Sequence, residues 1–367
     1  MDNNFENENI PINGNLKKPK KKKKKVIFII LGIILALVAA VVVFAAVKYN
    51  HYYSLSNYVS KSDAATAEES VDESTLSEAV NEDDLTDEEK SYIDSQASAI
   101  EENPTLPNNS NVYNLLVIGV DRRDTSWSGN SDCMILLSVN KDTKKITMMS
   151  FMRDLYANIE PYGTQKLNFS CAIGGPTRVV SAIEENYKVD IDNYVCVDFT
   201  AVENIVDAIG GIDIDVREEE IPLINSTVAD DCKSKGLSVD DNMIQSAGTV
   251  HMNGMQALAY SRLRYVGNAD WERTERQRKV LTKIFNKVKA LSLSELDSTA
   301  ETVLPMITHD IESSKLISLL ASLPTFLSYE LVSTRVPYDG TYTIINEILV
   351  PDMATEISMI QNELYGE

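Results

Sequence analysis

Val112-Tyr-Asn-Leu-Leu-Val-Ile-Gly-Val-Asp-Arg-Arg-Asp124 is an apolar run that ends abruptly in charge. Gly119 interrupts it near its end. Two further runs follow at 133–139 and 145–151, separated by short connections. Bounded apolar runs rich in branched residues read as strands, and short connections make neighbouring strands antiparallel. Downstream the pattern alternates. A helix is expected over 176–187 and a strand over 194–199. A helix over 200–209 follows, with Thr200 and Glu203 as its capping box and Gly210-Gly211 as its stop. Then come a strand at 212–216, a short helix at 254–260, an extended piece at 261–266 and a long helix at 271–290. The remainder reads as helices at 293–303, 313–327 and 353–364, with strands at 330–336 and 342–348. The fold class is α/β: a central mixed β-sheet with helices on both faces. Residues 112–367 are enough for one sizeable core, and no internal repeat is visible.

Before this domain, 26–47 is an uncharged apolar run of 22 residues. As a helix it would be about 33 Å long, enough to cross a hydrocarbon core of about 30 Å. It exceeds the apolar core of a cleaved signal peptide, and Val47-Lys48-Tyr49 is a poor cleavage site. Ala45-Ala46 keeps cleavage open as the other reading. Lys17, Lys18 and the run from Lys20 to Lys25 precede it, so 1–25 is read as a cytoplasmic basic tail and everything after 47 as extracellular. Beside a membrane span such a lysine run reads as a topology determinant touching anionic lipid rather than as a nucleic-acid patch.

The net charge is −21, and acid is concentrated in 48–111, where Lys48, Lys61 and Lys90 are the only lysines. That segment is read as an extended, self-repelling linker, with any helix over 86–100 solvated. Cys133, Cys171, Cys196 and Cys232 show no metal-ligand spacing. Cys133 and Cys196 read as small core residues, and one disulfide stays open.

Charge gathers where apolar runs stop. The first strand ends in Asp121-Arg-Arg-Asp124, the second opens with Ser131-Asp132, and the third ends in Arg153-Asp154. If the first two strands are antiparallel, Asp121 and Asp132 meet at one edge of the sheet. Two close carboxylates repel unless a cation lies between them, and oxygen ligands favour Mg²⁺ or Mn²⁺. Ordinary solvated turn residues are the other reading.

A second cluster runs Ser261-Arg-Leu-Arg-Tyr-Val-Gly-Asn-Ala-Asp-Trp-Glu-Arg-Thr-Glu-Arg-Gln-Arg278. Arg262 and Arg264 would point to one side of an extended segment. Arg273, Arg276 and Gln277 would share one helix face, with Asp270 as N-cap. Guanidinium pairs flanking a helix start make an anion site. The competing reading is a surface helix laced with ion pairs, which accounts for Glu272, Glu275 and Arg278. Arginines for a diphosphate and aspartates for its metal suit phosphoryl transfer. His251 and His309 stand in no triad or zinc pattern, and there is no Walker loop or Gly-x-Gly-x-x-Gly.

Taken in order, 114–121, Ser131-Asp132, 151–154, Lys166-Leu-Asn168, Gly174-Gly175, 197–199, 208–216, 253–262 and 270–277 resemble the successive motifs of the LytR–CpsA–Psr family. The resemblance covers about 112–281; the last 85 or so residues match only in general pattern. It implies an extracellular catalytic domain at 112–367 on a single-pass anchor, in a Gram-positive-type envelope. It implies transfer of wall teichoic acid, capsule or a related glycan from undecaprenyl pyrophosphate to peptidoglycan through a phosphodiester. By position Asp121 and Asp132 would hold Mg²⁺. Arg153, Arg262, Arg264 and Gln277 would bind the pyrophosphate, with Arg123 and Arg273 supporting. Asp270 would orient arginines or take the acceptor proton. The family also has a long apolar pocket for the polyprenyl chain. Two departures stand out: Met152 replaces the usual proline, and Ser128-Gly-Asn130 lacks an arginine often found before Ser-Asp.

Two rival classes remain. A membrane-anchored, non-catalytic binding module would share the arginines without needing the aspartate pair. A transcriptional regulator would need a DNA-binding element among only about 25 cytoplasmic residues, too few for a helix-turn-helix.

Overall fold

The first two apolar runs pair as antiparallel neighbours, β2 (Val112–Asp121) against β3 (Asn130–Asn140), and β3 pairs antiparallel with β4 (Lys145–Phe151). These strands centre a seven-stranded mixed sheet in the computed structural model. It describes residues 48–60, 79–103, 106–107, 109–121, 129–264, 270–326 and 328–366. Strand order is β1-β10-β7-β2-β3-β4-β11. Here β1 is Asn57–Tyr58, β7 is Asn193–Asp198, β10 is Thr308–His309 and β11 is Glu330–Val336. β7 runs parallel to β2, and β11 parallel to β4. The apolar run at 26–47, the lysine run and Arg123 lie outside the described residues. Among those described, no helix is long and apolar enough to cross a membrane.

Period-two alternation gives the sheet two different faces. Leu116, Ile118 and Val120 of β2, with Met134 and Leu136 of β3, enter the main core. On that face lie α1 (Asp87–Glu102), α2 (Phe169–Tyr187) and, at the C-terminus, α9 (Met353–Tyr365). Leu115, Val117 and Gly119 face the opposite way, toward α3 (Phe199–Ala208) and α6 (Asp270–Ala290). A second core gathers around α3, the β8–β9 ribbon (Ile212–Val216 with Gly248–Met252), α4 (Ile221–Lys235) and α5 (Gly254–Ser261). Two further helices are α7 (Leu293–Val303) and α8 (Ser313–Phe326).

Several expectations change. The acidic segment is not wholly a linker. Thr86 and Glu89 cap α1 reciprocally, and Leu85, Ile93 and Ile100 are buried in the main core. Gln96 Oε1 accepts the Met353 N–H at 2.9 Å, so the helix is docked rather than solvated. Its apolar positions are few, but the surface receiving them is built by residues more than two hundred positions away. α3 is capped by Asp198, whose side chain accepts from Ala201 N at 2.8 Å, and not by Thr200 and Glu203. The 212–216 strand pairs with 248–252 in its own ribbon outside the central sheet. The strand expected at 342–348 is a hairpin, β12 (Tyr342–Ile345) and β13 (Ile348–Pro351), turning at Asn346 and Glu347 with positive φ. Such left-handed pairs match the strands' twist. A small β5–β6 ribbon (Tyr156–Asn158, Thr164–Lys166) also forms, and none of the four cysteines is in a disulfide.

Gly254 shows why one motif glycine is obligatory. A Cβ there would lie 2.1 Å from the Glu203 carbonyl oxygen, because the start of α5 rests on the backbone of α3. A backbone neighbour cannot swing aside. Gly254→Ala should therefore lower unfolding free energy by about 3 kcal/mol. Chemical denaturation of the two proteins checks this; equal midpoints would show that the helices part at no cost.

Candidate active site

One face of the sheet and the helices α3 and α6 enclose a cavity of about 570 Å³. Its floor is apolar: Leu115 and Val117 from β2, Ile135 from β3, Val195 and Val197 from β7. Its walls include Val202 and Ile205 of α3 and Val280, Leu281 and Ile284 of α6. At one end the lining becomes charged, with Asp121, Asp132, Arg262, Arg264, Arg273 and Gln277.

Two different devices bring the aspartates to that end. Asp121 follows the alternation of Leu115, Val117 and Gly119, so it faces the cavity as the strand finishes. Asp132 would by the same rule follow Met134 and Leu136 into the core. A bulge prevents this: Gly119 pairs with Cys133, Val120 pairs with Ser131, and Asp132 is the extra residue. The bulge re-aims its carboxylate to the cavity. Ser131 instead takes the core side, fully buried, with its N–H donating to the Asn168 carbonyl at 3.4 Å. Cys133 also lines the cavity, but burial pushes its thiol up to about 12, so it is a neutral wall residue.

The arginines reach the aspartates from three elements. Arg153, in the loop after β4, donates to Asp132 at 2.5 Å and lies 3.4 Å from Asp154. Arg264 lies 3.6 Å from Asp132, and Arg262 lies 3.9 Å from Asp121 while stacking on the Phe199 ring at 4.5 Å. Gln277 donates to the Asp132 carbonyl at 3.2 Å. Arg273 is 2 % exposed beside these groups. Among the described residues, four guanidinium groups and Lys166, 3.4 Å from Asp154, thus stand around the carboxylates of Asp121, Asp132 and Asp154, leaving an excess positive charge at the mouth of an apolar cavity. Such an excess in a partly buried site attracts a multiply charged anion.

The two departures acquire a structural setting. Met152 is buried and its N–H donates to the Val336 carbonyl at 3.1 Å, tying the end of β4 to β11. Proline has no N–H and could not make that bond. Asn130 opens β3 directly opposite Asp121.

Other expectations are corrected here. Arg262 is not on an extended segment; it closes α5 in helical conformation, and the turn after it rather than strand alternation brings Arg262 and Arg264 to one cavity. Asp270 is the first residue of α6 rather than its cap. Arg276 does not share the cavity face of Arg273 and Gln277. It is buried beside that face, against Glu220 and Glu272, at 3.0 and 2.7 Å. Arg278 is no surface residue either, being buried with its guanidinium on Ser150 Oγ at 2.7 Å. Sequence reading missed Glu220, which looks like one more solvated acid in Glu218-Glu-Glu220, and Phe199, which looks like a strand end.

The sequence model of the LytR_cpsA_psr family matches residues 60–365. The chain belongs to the LytR–CpsA–Psr family. Among its relatives, biofilm regulatory protein A of Streptococcus mutans serotype c is 30 % identical over 274 residues, covering 70 % of this chain and 63 % of the relative. The polyisoprenyl-teichoic acid–peptidoglycan teichoic acid transferase TagU of Enterococcus faecalis is 33 % identical over 189 residues, covering 50 % and 56 %. The chain therefore spans less than two thirds of either relative. A solved structure, protein gbs0355 from Streptococcus agalactiae, superposes with a TM-score of 0.58 at 26 % identity, covering 73 % of this chain and 89 % of that one. The mixed sheet with helices on both faces is thus the architecture of a solved protein as well. The match from residue 60 also takes in α1, which the motif resemblance left out.

Proposed function

We propose that this LytR–CpsA–Psr protein transfers a phosphate-linked glycan from a polyprenyl pyrophosphate carrier to a hydroxyl of peptidoglycan. One observation carries the reading: an apolar cavity opens directly into a ring of arginines. A ligand that fits both parts has a long hydrocarbon tail and a compact polyanionic head, as a prenyl diphosphate has. The Enterococcus relative, named as a teichoic acid transferase, supports the same class of reaction.

In the proposed step the acceptor oxygen attacks the glycan-bearing phosphorus and loses its proton. The bond to the bridging oxygen breaks, leaving a phosphodiester and prenyl phosphate. Arg262, Arg264 and Arg273 would neutralise charge on the transferring and leaving oxygens, with Arg153 orienting Asp132. Asp270 is a candidate base or orienting group. Asp121 and Asp132 fit a Mg²⁺ or Mn²⁺ ion held jointly with the substrate. No described group of three or more His, Cys, Asp or Glu could hold a metal unaided. Mg²⁺ characteristically takes one or two carboxylates plus phosphate oxygens and water. When bound, the ion would supply charge neutralisation across the diphosphate. Undecaprenyl as carrier, teichoic acid or capsule as cargo, and an extracellular domain anchored by 26–47 complete the proposal.

The test uses the full chain in detergent with a polyprenyl-pyrophosphate oligosaccharide, under-crosslinked peptidoglycan, and Mg²⁺ or EDTA. Mass spectrometry of wall fragments should find a phosphodiester-linked glycan that EDTA abolishes. Lipid binding without transfer from several donors would favour the non-catalytic binding module instead.

A second, almost wholly apolar cavity of about 250 Å³ shares Leu115 and Leu281 with the first and continues under α8. The two together would take a longer prenyl chain than the first alone. Leu281→Trp fills the shared wall and should weaken binding of eight-isoprene pyrophosphate about tenfold, with three-isoprene pyrophosphate little changed. Parallel losses for both lengths would show that the chain does not pass Leu281.

A further inference from the structure

We propose that Glu220 is a positioning residue for the arginine mouth, acting through Arg276 on the carbonyl of Leu263. The inference rests on the reading that the mouth binds a diphosphate. Glu220 and Arg276 are both deeply buried, with 2 % and 4 % side-chain exposure, and neither lines the cavity. Arg276 uses its whole fork. Its Nε donates to Glu220 Oε1 at 3.0 Å, one terminal nitrogen to Glu272 at 2.7 Å, and the other to the Leu263 carbonyl at 3.3 Å. Leu263 is the residue between Arg262 and Arg264.

The second half of the device comes from the loop after β8. Arg217 donates from its side chain to Glu220 at 3.1 Å and to Glu272 at 2.6 Å, and from its backbone N–H to Glu220 Oε2 at 2.9 Å. Two carboxylates and two guanidinium groups therefore close a neutral ring between that loop and the first turns of α6. A buried pair of this kind is expensive to desolvate and adds little net stability over an apolar substitute. What it supplies is geometry. Arg273 and Gln277 flank Arg276 on α6 and line the cavity; the ring fixes that helix start against the Leu263 backbone. Arg262 and Arg264 then stand at a set distance from Arg273 and Gln277. A flexible polyanion site would instead lose affinity to the ordering of four long side chains.

A positioning role differs measurably from a merely structural one. The full chain in detergent is titrated with geranylgeranyl pyrophosphate and with geranylgeraniol, which share a tail and differ in the head. Glu220→Gln keeps the shape and removes the charge that holds Arg276. Arg276→Lys keeps the charge and removes the fork to Leu263. Exposed Glu275→Gln, on the same helix, is the control. The expected result is about a tenfold loss of pyrophosphate affinity in both variants, with geranylgeraniol affinity close to wild type and a thermal midpoint that falls, because one partner of a buried pair is lost, yet stays above the temperature of the titration. Unchanged pyrophosphate binding in folded Glu220→Gln and Arg276→Lys would overturn the proposal, and so would equal losses for both ligands. If the wild type binds the alcohol as tightly as the pyrophosphate, the diphosphate reading fails and this one fails with it.

Discussion

Arg262→Ala is expected to lower the proposed transfer at least about a hundredfold while leaving the fold intact. Arg262 closes α5, faces the cavity 3.9 Å from Asp121, and stacks on Phe199. Its guanidinium is about one third exposed, so removing it creates no large void and leaves no buried charge unpaired. The loss therefore falls on the transition state. A preorganised donor aimed at developing charge in a partly desolvated site contributes about a hundred- to a thousandfold. Arg153→Ala should cost as much and also release Asp132 from its 2.5 Å partner. Single-turnover transfer followed by mass spectrometry of the wall product separates this loss from weaker substrate binding. Rates within threefold of wild type at saturating donor would remove Arg262 from the chemistry.

Ile93→Ala is expected to lower the unfolding free energy by about 3 kcal/mol. Ile93 is 3 % exposed and belongs to the main core, although it lies in a segment whose sequence is mostly acid and polar. Truncating a buried isoleucine forfeits its transfer free energy and leaves a cavity, together costing about 2–5 kcal/mol. A residue on a solvated tether would cost under about 0.5 kcal/mol. Urea denaturation of the full chain distinguishes the two, and a change within that smaller figure would return α1 to the linker. A fragment beginning at Val112 lacks Leu85, Ile93 and Ile100 and exposes the surface they cover. The match of the family from residue 60 agrees with a domain that starts before Val112.

The strands were legible because their signal is local. Apolar runs at 112–120, 133–139 and 145–151 need only their own composition and the punctuation around them. The long helix at 271–290 carries its period in its own residues. Charge at strand ends was legible for the same reason and marked Asp121, Asp132 and Arg153, while Arg262 and Arg264 stood out as a second cluster. Helical spacing marked Arg273 and Gln277 as sharing one face, and the ordered motifs joined Arg153 to them. The hairpin at 342–351 was missed because Ile344 and Ile345 carry the apolar run into its turn, hiding the break at Asn346 and Glu347.

The composition and order of this chain were enough to specify an α/β sheet whose strand ends collect arginine and aspartate. Side-chain period and residue chemistry act over a few neighbours, and that is all such a reading requires. Three things depended on partners far apart in the chain. Asp132 faces the cavity only because the register of β3 against β2 slips by one residue. Arg276 stays out of the cavity lining only because Glu220, 56 residues earlier, is folded against it. α1 is part of the domain only because α9 offers it a surface. Register, buried charge pairing and docking of a weakly apolar helix are decided by which surfaces meet, and no local stretch of sequence carries that information.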